Sequence, residues 1–170
     1  LQNYSGFESI ELDVNDRISA SKLNDIKVRY TFDEKIKTIR SNEFLLWRYL
    51  NHPSINYGIE IIKDKKNQLT FIYEINENDF GREMIVVDYV GNYNLFNIML
   101  DKIDCLSKKY NVTHVMVLRK YDTPSKPFIK RLYINYRKKN FVVLPVNLNI
   151  NKTAQEYSDW DLFLGMHDSV

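Results

Sequence analysis

Three apolar segments that follow one another between residues 57 and 90 constrain the fold more than any other feature of the chain. They cover residues 57–62, 69–75 and 84–90, and each is rich in the β-branched and aromatic residues typical of strands. Short polar turns at 64–67 and 77–79 separate them, and turns of this length join antiparallel neighbours. The sequence therefore predicts a three-stranded antiparallel meander, whose third strand is apolar enough to be buried on both faces of a sheet.

Alternating and helical patterns predict further elements on both sides of this meander. More strands are predicted by alternation or by apolar runs, over 7–14, 113–118, 141–146 and 160–164. Helices are predicted by apolar spacing of three and four, over about 15–30, 41–50, 94–110 and 125–139. Ser41 and Asn94 are expected to cap the second and third of these helices. The order predicts one α+β (mixed α/β) domain over residues 1–170, with a central mixed sheet of about seven strands flanked by about four helices.

Composition and charge exclude some classes of protein. Hydrophobic residues make up 44% of the chain and charged residues 27%, which are globular proportions, and the formal net charge is only +2. No apolar run approaches the roughly 20 residues of a transmembrane helix, so no membrane span is expected and the default location is cytoplasmic. The stretch 126–139 is basic and contains no acidic residue, but the small overall charge and the lack of a recognised binding motif argue against nucleic acid as a partner.

The residue types that most often bind metals or act as nucleophiles form no pattern. The single cysteine, Cys105, excludes an internal disulfide framework and a cysteine-based zinc site, and its position in a predicted helix suggests a small core residue. His52, His114 and His167 lie far apart in the sequence, without the matched spacing of metal ligands. Neither a metal centre nor covalent catalysis is expected.

The order of elements resembles that of the GNAT acyltransferase superfamily over about residues 7–165. Residues 44–49, FLLWRY, followed by His52-Pro53 and Tyr57, are similar to a segment of GNAT-like proteins linked to polysaccharide and cell-envelope biosynthesis. Residues 136–141 resemble the end of the last helix of the superfamily, and 160–165 with Asp168 resemble the final motif of the envelope-associated group. The resemblance implies an acyl-CoA-dependent N- or O-acyltransferase that uses acetyl-CoA and acts on a sugar or other small acceptor.

The resemblance also implies a place for acetyl-CoA. In the superfamily the strand matching 84–90 parts from the strand matching 113–118, the pantetheine arm enters the gap, and the loop that follows offers backbone N–H groups to the pyrophosphate. The residues that match these parts are Val87, Tyr89, Val90, Gly91, Asn92, Tyr93 and Asn94. Arg119, just after the strand over 113–118, is expected to contact a phosphate, with an acidic acceptor or an ordinary surface position as alternatives. The family's loop holds several small residues, of which this chain keeps Gly91, while Tyr93 adds bulk.

Two residues are predicted to exchange protons with the reactants. Tyr136 matches the tyrosine that protonates the departing thiolate in many GNAT enzymes, a role suited to a phenol with a pKa of about 10, although it is also readable as a half-buried helix tyrosine. Asp88 is predicted to be the general base or, alternatively, the partner of a buried arginine or backbone group. Trp47 and Arg48 are expected to contact the acceptor, with packing and a salt bridge as the alternative for Arg48.

Two further carboxylates lie on the first two strands of the predicted meander. Glu60 and Glu74 lie on neighbouring strands and are alternative candidates for the general base, but they alternate with apolar neighbours and are expected to face solvent. The main alternative to the enzyme is a non-catalytic GNAT-fold domain that binds a partner domain or a second copy, as one half of a longer or tandem protein. A nucleic-acid-binding module built on the basic stretch 126–139 is the least favoured alternative.

Overall fold

The computed structural model of the chain describes residues 8–12, 36–37, 40–120, 123–134 and 160–161. Its strands are β1 (Glu8–Leu12), β2 (Ile36–Lys37), β3 (Tyr57–Lys63), β4 (Gln68–Asn78), β5 (Gly81–Gly91), β6 (His114–Val117) and β7 (Trp160–Asp161). Its α-helices are α1 (Asn42–Leu45), α2 (Phe96–Lys109) and α3 (Lys126–Lys130). A wider π-helical turn over Leu46–Leu50 continues α1, and a 3₁₀ turn over Tyr93–Leu95 precedes α2.

One mixed sheet organises the described residues. Strands β3 to β6 form its centre, and β1 adds along β3 to give the order β1-β3-β4-β5-β6. The first three pairings are antiparallel, whereas β5 and β6 are parallel. The predicted meander and the mixed α and β class are therefore confirmed. The predicted count of about seven strands in one sheet is not confirmed, because β2 and β7 pair separately and residues 141–146 lie outside the described part.

A β-bulge between β4 and β5 changes which face the last residues of β5 occupy. The register shifts beside Ile72, which lies opposite Asp88, so that Val87 is the extra residue. Val86, before the bulge, packs in the core beneath α2, and Val87 packs on the other face of the sheet. Tyr89, after the bulge, packs beneath α2. Asp88 consequently lies on the face opposite α2, where strict alternation from Val86 would have placed it under the helix.

Helix α2 covers one face of the sheet with the predicted apolar stripe. Its buried side chains are Phe96, Met99, Leu100, Ile103 and Leu106. The start of the helix differs from the prediction, since α2 has no side-chain cap of its own and Asn92, not Asn94, caps the 3₁₀ turn before it. The Asn92 side chain accepts the N–H of Asn94 at 2.9 Å, which begins the 3₁₀ turn ahead of α2.

Helix α1 and its π-helical continuation cover the opposite face. The hydroxyl of Ser41 accepts the N–H of Phe44 at 3.2 Å, which confirms the predicted cap. Leu45 and Tyr49 are completely buried against the sheet. Because both faces of β3 and β4 are covered, alternation along these strands does not separate a buried face from a solvated one.

Strand β6 lies beside β5 over a short distance. Only four residue pairs join them, from Glu83 with His114 to Val86 with Val117. The chain after Val117 leaves the ladder, although β5 continues to Gly91. The strand predicted over 113–118 is thus confirmed in position, but it is half-exposed, whereas its apolar run predicts a buried strand. None of the helices in the described residues is long and apolar enough to cross a membrane.

Helix α3 is shorter than the sequence pattern predicts. Phe128 packs into the core beneath α2, but Leu132 has a φ of 59°, in the left-handed region that ends a right-handed helix. The prediction of a continuous helix over 125–139 is therefore wrong for residues 131–134. Residue 135 and those that follow it on this stretch lie outside the described part, as does the helix predicted over 15–30.

Candidate functional site

A buried polar cluster lies where β5 continues beyond the end of β6. It consists of Arg40, Asp88, Tyr89, Lys120 and Thr123, and we call these five residues the Asp88 cluster. All five are at least nine-tenths buried. Arg40 comes from the segment just before α1, and Lys120 and Thr123 come from the chain between β6 and α3. The cluster therefore joins three distant parts of the sequence at one end of the sheet.

The carboxylate of Asp88 accepts hydrogen bonds from two cations. Arg40 donates from Nε to Oδ2 at 2.8 Å and from Nη2 to Oδ1 at 3.3 Å. Lys120 donates from Nζ to Oδ1, also at 3.3 Å. A buried carboxylate is stable only when its charge is compensated in this way. The geometry matches the interpretation of Asp88 as the partner of a buried arginine, and its role as a general base stays a prediction.

The phenol of Tyr89 holds the chain that leaves β6. Its hydroxyl donates to the carbonyl of Leu118 at 3.0 Å and accepts the backbone N–H of Lys120 at 3.0 Å. Thr123 Oγ1 lies 2.8 Å from the same hydroxyl. Since a phenol has one hydrogen and gives it to Leu118, Thr123 is the donor in this last bond. These bonds fix residues 118–120 beside β5 without a strand ladder.

The amine of Lys120 lies at the edge of β5, within the layer of the sheet. It donates to the backbone carbonyl of Tyr89 at 2.7 Å and lies 4.7 Å from the centre of the Tyr89 ring. It also reaches Asp88, whose side chain is on the other face of the sheet from the Tyr89 ring. An amine that contacts both side chains and the backbone between them must sit in the space where the next strand would lie.

Arg119, the neighbouring cation that the sequence analysis selected, has a different environment. Arg119 is exposed beyond β6, whereas Lys120 is only 4% exposed. Two adjacent residues that leave a sheet commonly point in opposite directions, and the sequence gives no sign of which one points inward. Sequence reasoning therefore missed Lys120 and also Arg40, which precedes the predicted cap at Ser41 and belongs to no predicted element.

The loop predicted to contact pyrophosphate forms hydrogen bonds within the protein. Gly91 has a φ of 126°, and its backbone lies against Gln68, whose carbonyl accepts the N–H of Asn92 at 2.8 Å. The N–H groups of Asn94 and Leu95 bond to the side chain and the carbonyl of Asn92, at 2.9 and 3.0 Å. The backbone N–H groups of Asn92, Asn94 and Leu95 thus already donate hydrogen bonds to Gln68 or Asn92.

The remaining loop residues surround this turn. Val90 is buried at the end of β5, opposite Thr70. Tyr93 is half-buried and contacts the ring of Tyr89, with 5.9 Å between ring centres. Tyr93 thus packs against the Tyr89 ring of the Asp88 cluster, on the face of the sheet that α2 covers.

The residues predicted to contact the acceptor lie on the π-helical turn. Trp47 is 68% exposed and contacts Phe44, with 6.1 Å between ring centres. Arg48 is half-buried, and its charge is felt by the hydroxyl of Tyr49. Trp47 therefore presents an indole to solvent, while Tyr49 of the same turn is buried and feels the charges of Asp88 and Arg40.

Tyr49 brings a buried phenol to the same face as Asp88. Its hydroxyl has no hydrogen-bond partner among the described residues. Burial, and after it the charge of Asp88, raises the pKa of Tyr49 far above its ordinary value, so the phenol stays protonated at any physiological pH. A buried phenol whose hydroxyl has no partner among the described residues is unusual in a folded protein.

Two other sequence predictions can be compared with the structure, and a third cannot. Tyr136, the predicted acid, lies outside the described residues. Cys105 is exposed on α2, so its prediction as a core residue is wrong. Glu60 and Glu74 are 0% and 3% exposed, so the prediction that they face solvent is also wrong. Glu60 lies under α2 and pairs with Lys102, whose Nζ is 3.5 Å from its Oε2.

Because Glu74 is buried, the free energy of unfolding of the protein is expected to depend on pH. Burial, and then the nearby charge of Glu83, raises the pKa of Glu74, although Asn76 donates to its Oε1 at 3.2 Å. The folded protein therefore holds this proton more tightly than the unfolded chain, and stability falls as the pH rises above the ordinary glutamate pKa of about 4.3. Glu74→Gln should remove this loss, so the variant should be more stable than the unmodified protein near neutral pH and similar to it at low pH.

Urea unfolding at about pH 4 and about pH 7.5 checks this expectation. Glu77→Gln on the same strand is the matched control, because its side chain is 76% exposed and lies 3.9 Å from Arg82 in a surface ion pair worth little. A Glu74→Gln protein that loses stability at the higher pH would contradict the argument from burial.

The chain was compared with known protein families and with curated proteins. No protein-family model matches the chain, and no curated protein shows significant similarity to it. Within the described residues, no group of three or more His, Cys, Asp or Glu side chains is arranged to hold a metal ion. The interpretation of the site consequently depends on its own geometry.

Proposed function

We propose that the chain is a GNAT-type acyltransferase that transfers an acyl group, in the first instance acetyl, from acyl-CoA to an amine or hydroxyl of a small acceptor such as a sugar. One observation carries the proposal. Parallel neighbours β5 and β6 pair over four residues and then part, while β5 continues to Gly91. The antiparallel meander before β5 and the helix α2 between β5 and β6 support the same resemblance.

The edge of β5 beyond Val86 suits the amide-bearing arm of acyl-CoA. The carbonyl of Tyr89 faces the gap, because it accepts the amine of Lys120 there. Such a carbonyl can accept an amide N–H from an extended ligand as it would from a neighbouring strand. The loop 92–95 suits a pyrophosphate less well, since Asn92 already engages its amides. We therefore assign the phosphate contacts first to the exposed Arg119, whose cation is available from solvent.

The chemistry proposed for the chain is direct transfer. Acyl-CoA supplies the thioester, the acceptor attacks it, and no covalent intermediate forms on the protein. Tyr136 is the proposed acid for the thiolate, and Trp47 and Arg48 are the proposed acceptor contacts. Asp88 is the proposed base, but Arg40 and Lys120 occupy three of the roughly four acceptor positions of its carboxylate. Departure of Lys120 would free one of them for the acceptor.

A second candidate is a non-catalytic GNAT-fold domain that binds a partner domain or a second copy. The specific observation that favours it is the closure of the gap by the protein's own groups. Lys120 bonds the strand edge, and Asn92 bonds the loop amides, so both proposed cofactor contacts are made internally. In a protein that binds no cofactor, the Tyr89 carbonyl and the loop amides can form hydrogen bonds within the chain permanently.

Calorimetric titration of the purified chain with acetyl-CoA and with CoA separates these candidates. The acyltransferase proposal predicts saturable binding, with a dissociation constant of roughly 1–100 μM. Tyr136→Phe should then leave binding unchanged and slow turnover by about 10²–10⁴-fold, as loss of a general acid does. Absence of heat at millimolar ligand, from a protein shown to be folded, would contradict the proposal and leave the second candidate.

A matched tyrosine helps to interpret the activity measurement. Tyr133 precedes Tyr136 closely in the sequence and is half-buried against Phe128, with 5.4 Å between the two ring centres. Burial raises the pKa of Tyr133 to about 12, so this phenol is a poorer acid for a thiolate than an ordinary tyrosine. Tyr133→Phe should therefore leave turnover unchanged. Equal losses in the two variants would indicate a structural effect instead of acid catalysis.

A further inference from the structure

Lys120 has a position that an ordinary structural lysine does not need. Its backbone belongs to the chain leaving β6, yet its amine crosses the gap to the edge of β5. There it makes the bond to the Tyr89 carbonyl that a neighbouring strand's N–H would make, at 2.7 Å. The amine thus occupies the place at which an amide of an extended ligand would bind.

The two cations of the Asp88 cluster are not equivalent. Arg40 contacts both oxygens of Asp88 with a planar group, whereas Lys120 contacts only Oδ1. If Lys120 leaves, Asp88 keeps a charged partner at each oxygen. Lysine also has a long flexible stem, so rotation about its bonds can carry the strongly hydrated ammonium from Asp88 to solvent. Lys120 is therefore the cation that can leave Asp88 when a ligand binds, while Arg40 stays bonded to both carboxylate oxygens.

We infer that the Lys120 side chain is an internal occupant of the cofactor gap and must swing out of it before an acyl-CoA can bind along β5. This inference depends on the proposed function, because it names what controls entry to that same site. Departure of Lys120 leaves the Tyr89 carbonyl as acceptor for the ligand and frees one position on Asp88. Entry of the ligand and release of the proposed base are thereby coupled in one movement.

Titration of the Lys120→Met variant with acetyl-CoA tests the inference. Methionine keeps an unbranched apolar stem but has no amine, so it cannot form the bonds that Lys120 makes to Asp88 and to the Tyr89 carbonyl across the gap. Acetyl-CoA should bind the variant about tenfold or more tightly than the unmodified protein, a change that corresponds to about 1.4 kcal/mol. Lys66→Met in the β3–β4 turn is the matched control, because Lys66 is exposed. The affinity of this control variant for acetyl-CoA should equal that of the unmodified protein.

Chemical modification of lysines gives a second, independent measurement. In the free protein Lys120 should react slowly with an amine-specific reagent, since it is 4% exposed, and it should react faster at saturating acetyl-CoA. Equal affinity of Lys120→Met and the unmodified protein, or continued protection of Lys120 with ligand bound, would overturn the inference and leave the acyltransferase proposal standing. Failure of both proteins to bind acetyl-CoA at millimolar concentration would overturn both.

Discussion

Replacement of Asp88 by asparagine is expected to lower the free energy of unfolding by about 3–5 kcal/mol. The substitution keeps the shape of the side chain but removes its charge, which leaves Arg40 and Lys120 buried without the carboxylate that both contact. Breaking a buried ion pair from one side costs more than the pair contributes, because the remaining charge stays in a medium of low polarity. Urea unfolding at neutral pH measures the loss as a lower midpoint at similar slope.

Asp79→Asn is the matched control for this experiment. Asp79 lies on the exposed β4–β5 turn, so the same chemical change there should alter stability by no more than about 0.5 kcal/mol. If the two variants unfold at similar urea concentrations, the Asp88 cluster does not contribute to stability as described. The double variant Asp88→Asn with Lys120→Met should recover part of the loss, since it removes one of the two uncompensated cations.

Gly91→Ala is expected to destabilise the protein by about 3 kcal/mol or more, through backbone strain together with a steric clash. The φ of 126° at this position is one that residues with a side chain rarely adopt. An added Cβ would also lie 2.3 Å from the carbonyl oxygen of Gln68. Because this neighbour is backbone in the adjacent strand, a rotamer change cannot relieve the contact. The strand end, the Asn92 cap and the start of α2 would move together.

Gly81→Ala separates the two causes. Gly81 has a similar φ of 110°, but its Cβ would meet the side chain of Thr113, 2.8 Å away. Thr113 can give way more easily than a strand backbone, so we expect a smaller loss of about 1–2 kcal/mol. Thermal or urea unfolding of both variants measures the difference. Equal losses would mean that φ alone matters and that the Gln68 contact is unimportant.

The parts of the fold that local pattern determines could be predicted from the sequence. Alternation and turn residues predict the meander, and the Ser41 cap follows from its position before an apolar helical run. The sequence predicts Asn94 as the cap of α2, whereas Asn92 caps the 3₁₀ turn before it, since both asparagines are good caps and only tertiary structure decides between them. The end of α3 at a left-handed leucine has no sequence signal.

The candidate site depends on contacts that local pattern does not encode. Asp88 was identified because a carboxylate in an apolar strand needs a partner, but its partners are 48 and 32 residues away in sequence. Glu60 and Glu74 were misjudged for a related reason. Alternation indicates a solvated face only if one side of a sheet is left open, and α1 and α2 cover both sides here.

The bulge at Val87 has a consequence for how sequences related to this one should be compared. Positions before it and after it on β5 follow opposite odd–even rules for facing α2. A relative without this extra residue would carry its acidic side chain one position earlier and still direct it to the α1 face. Searches for the same ion-paired strand end in other chains should therefore allow a one-residue offset at this point, because a rigid position-by-position comparison would miss the equivalent aspartate.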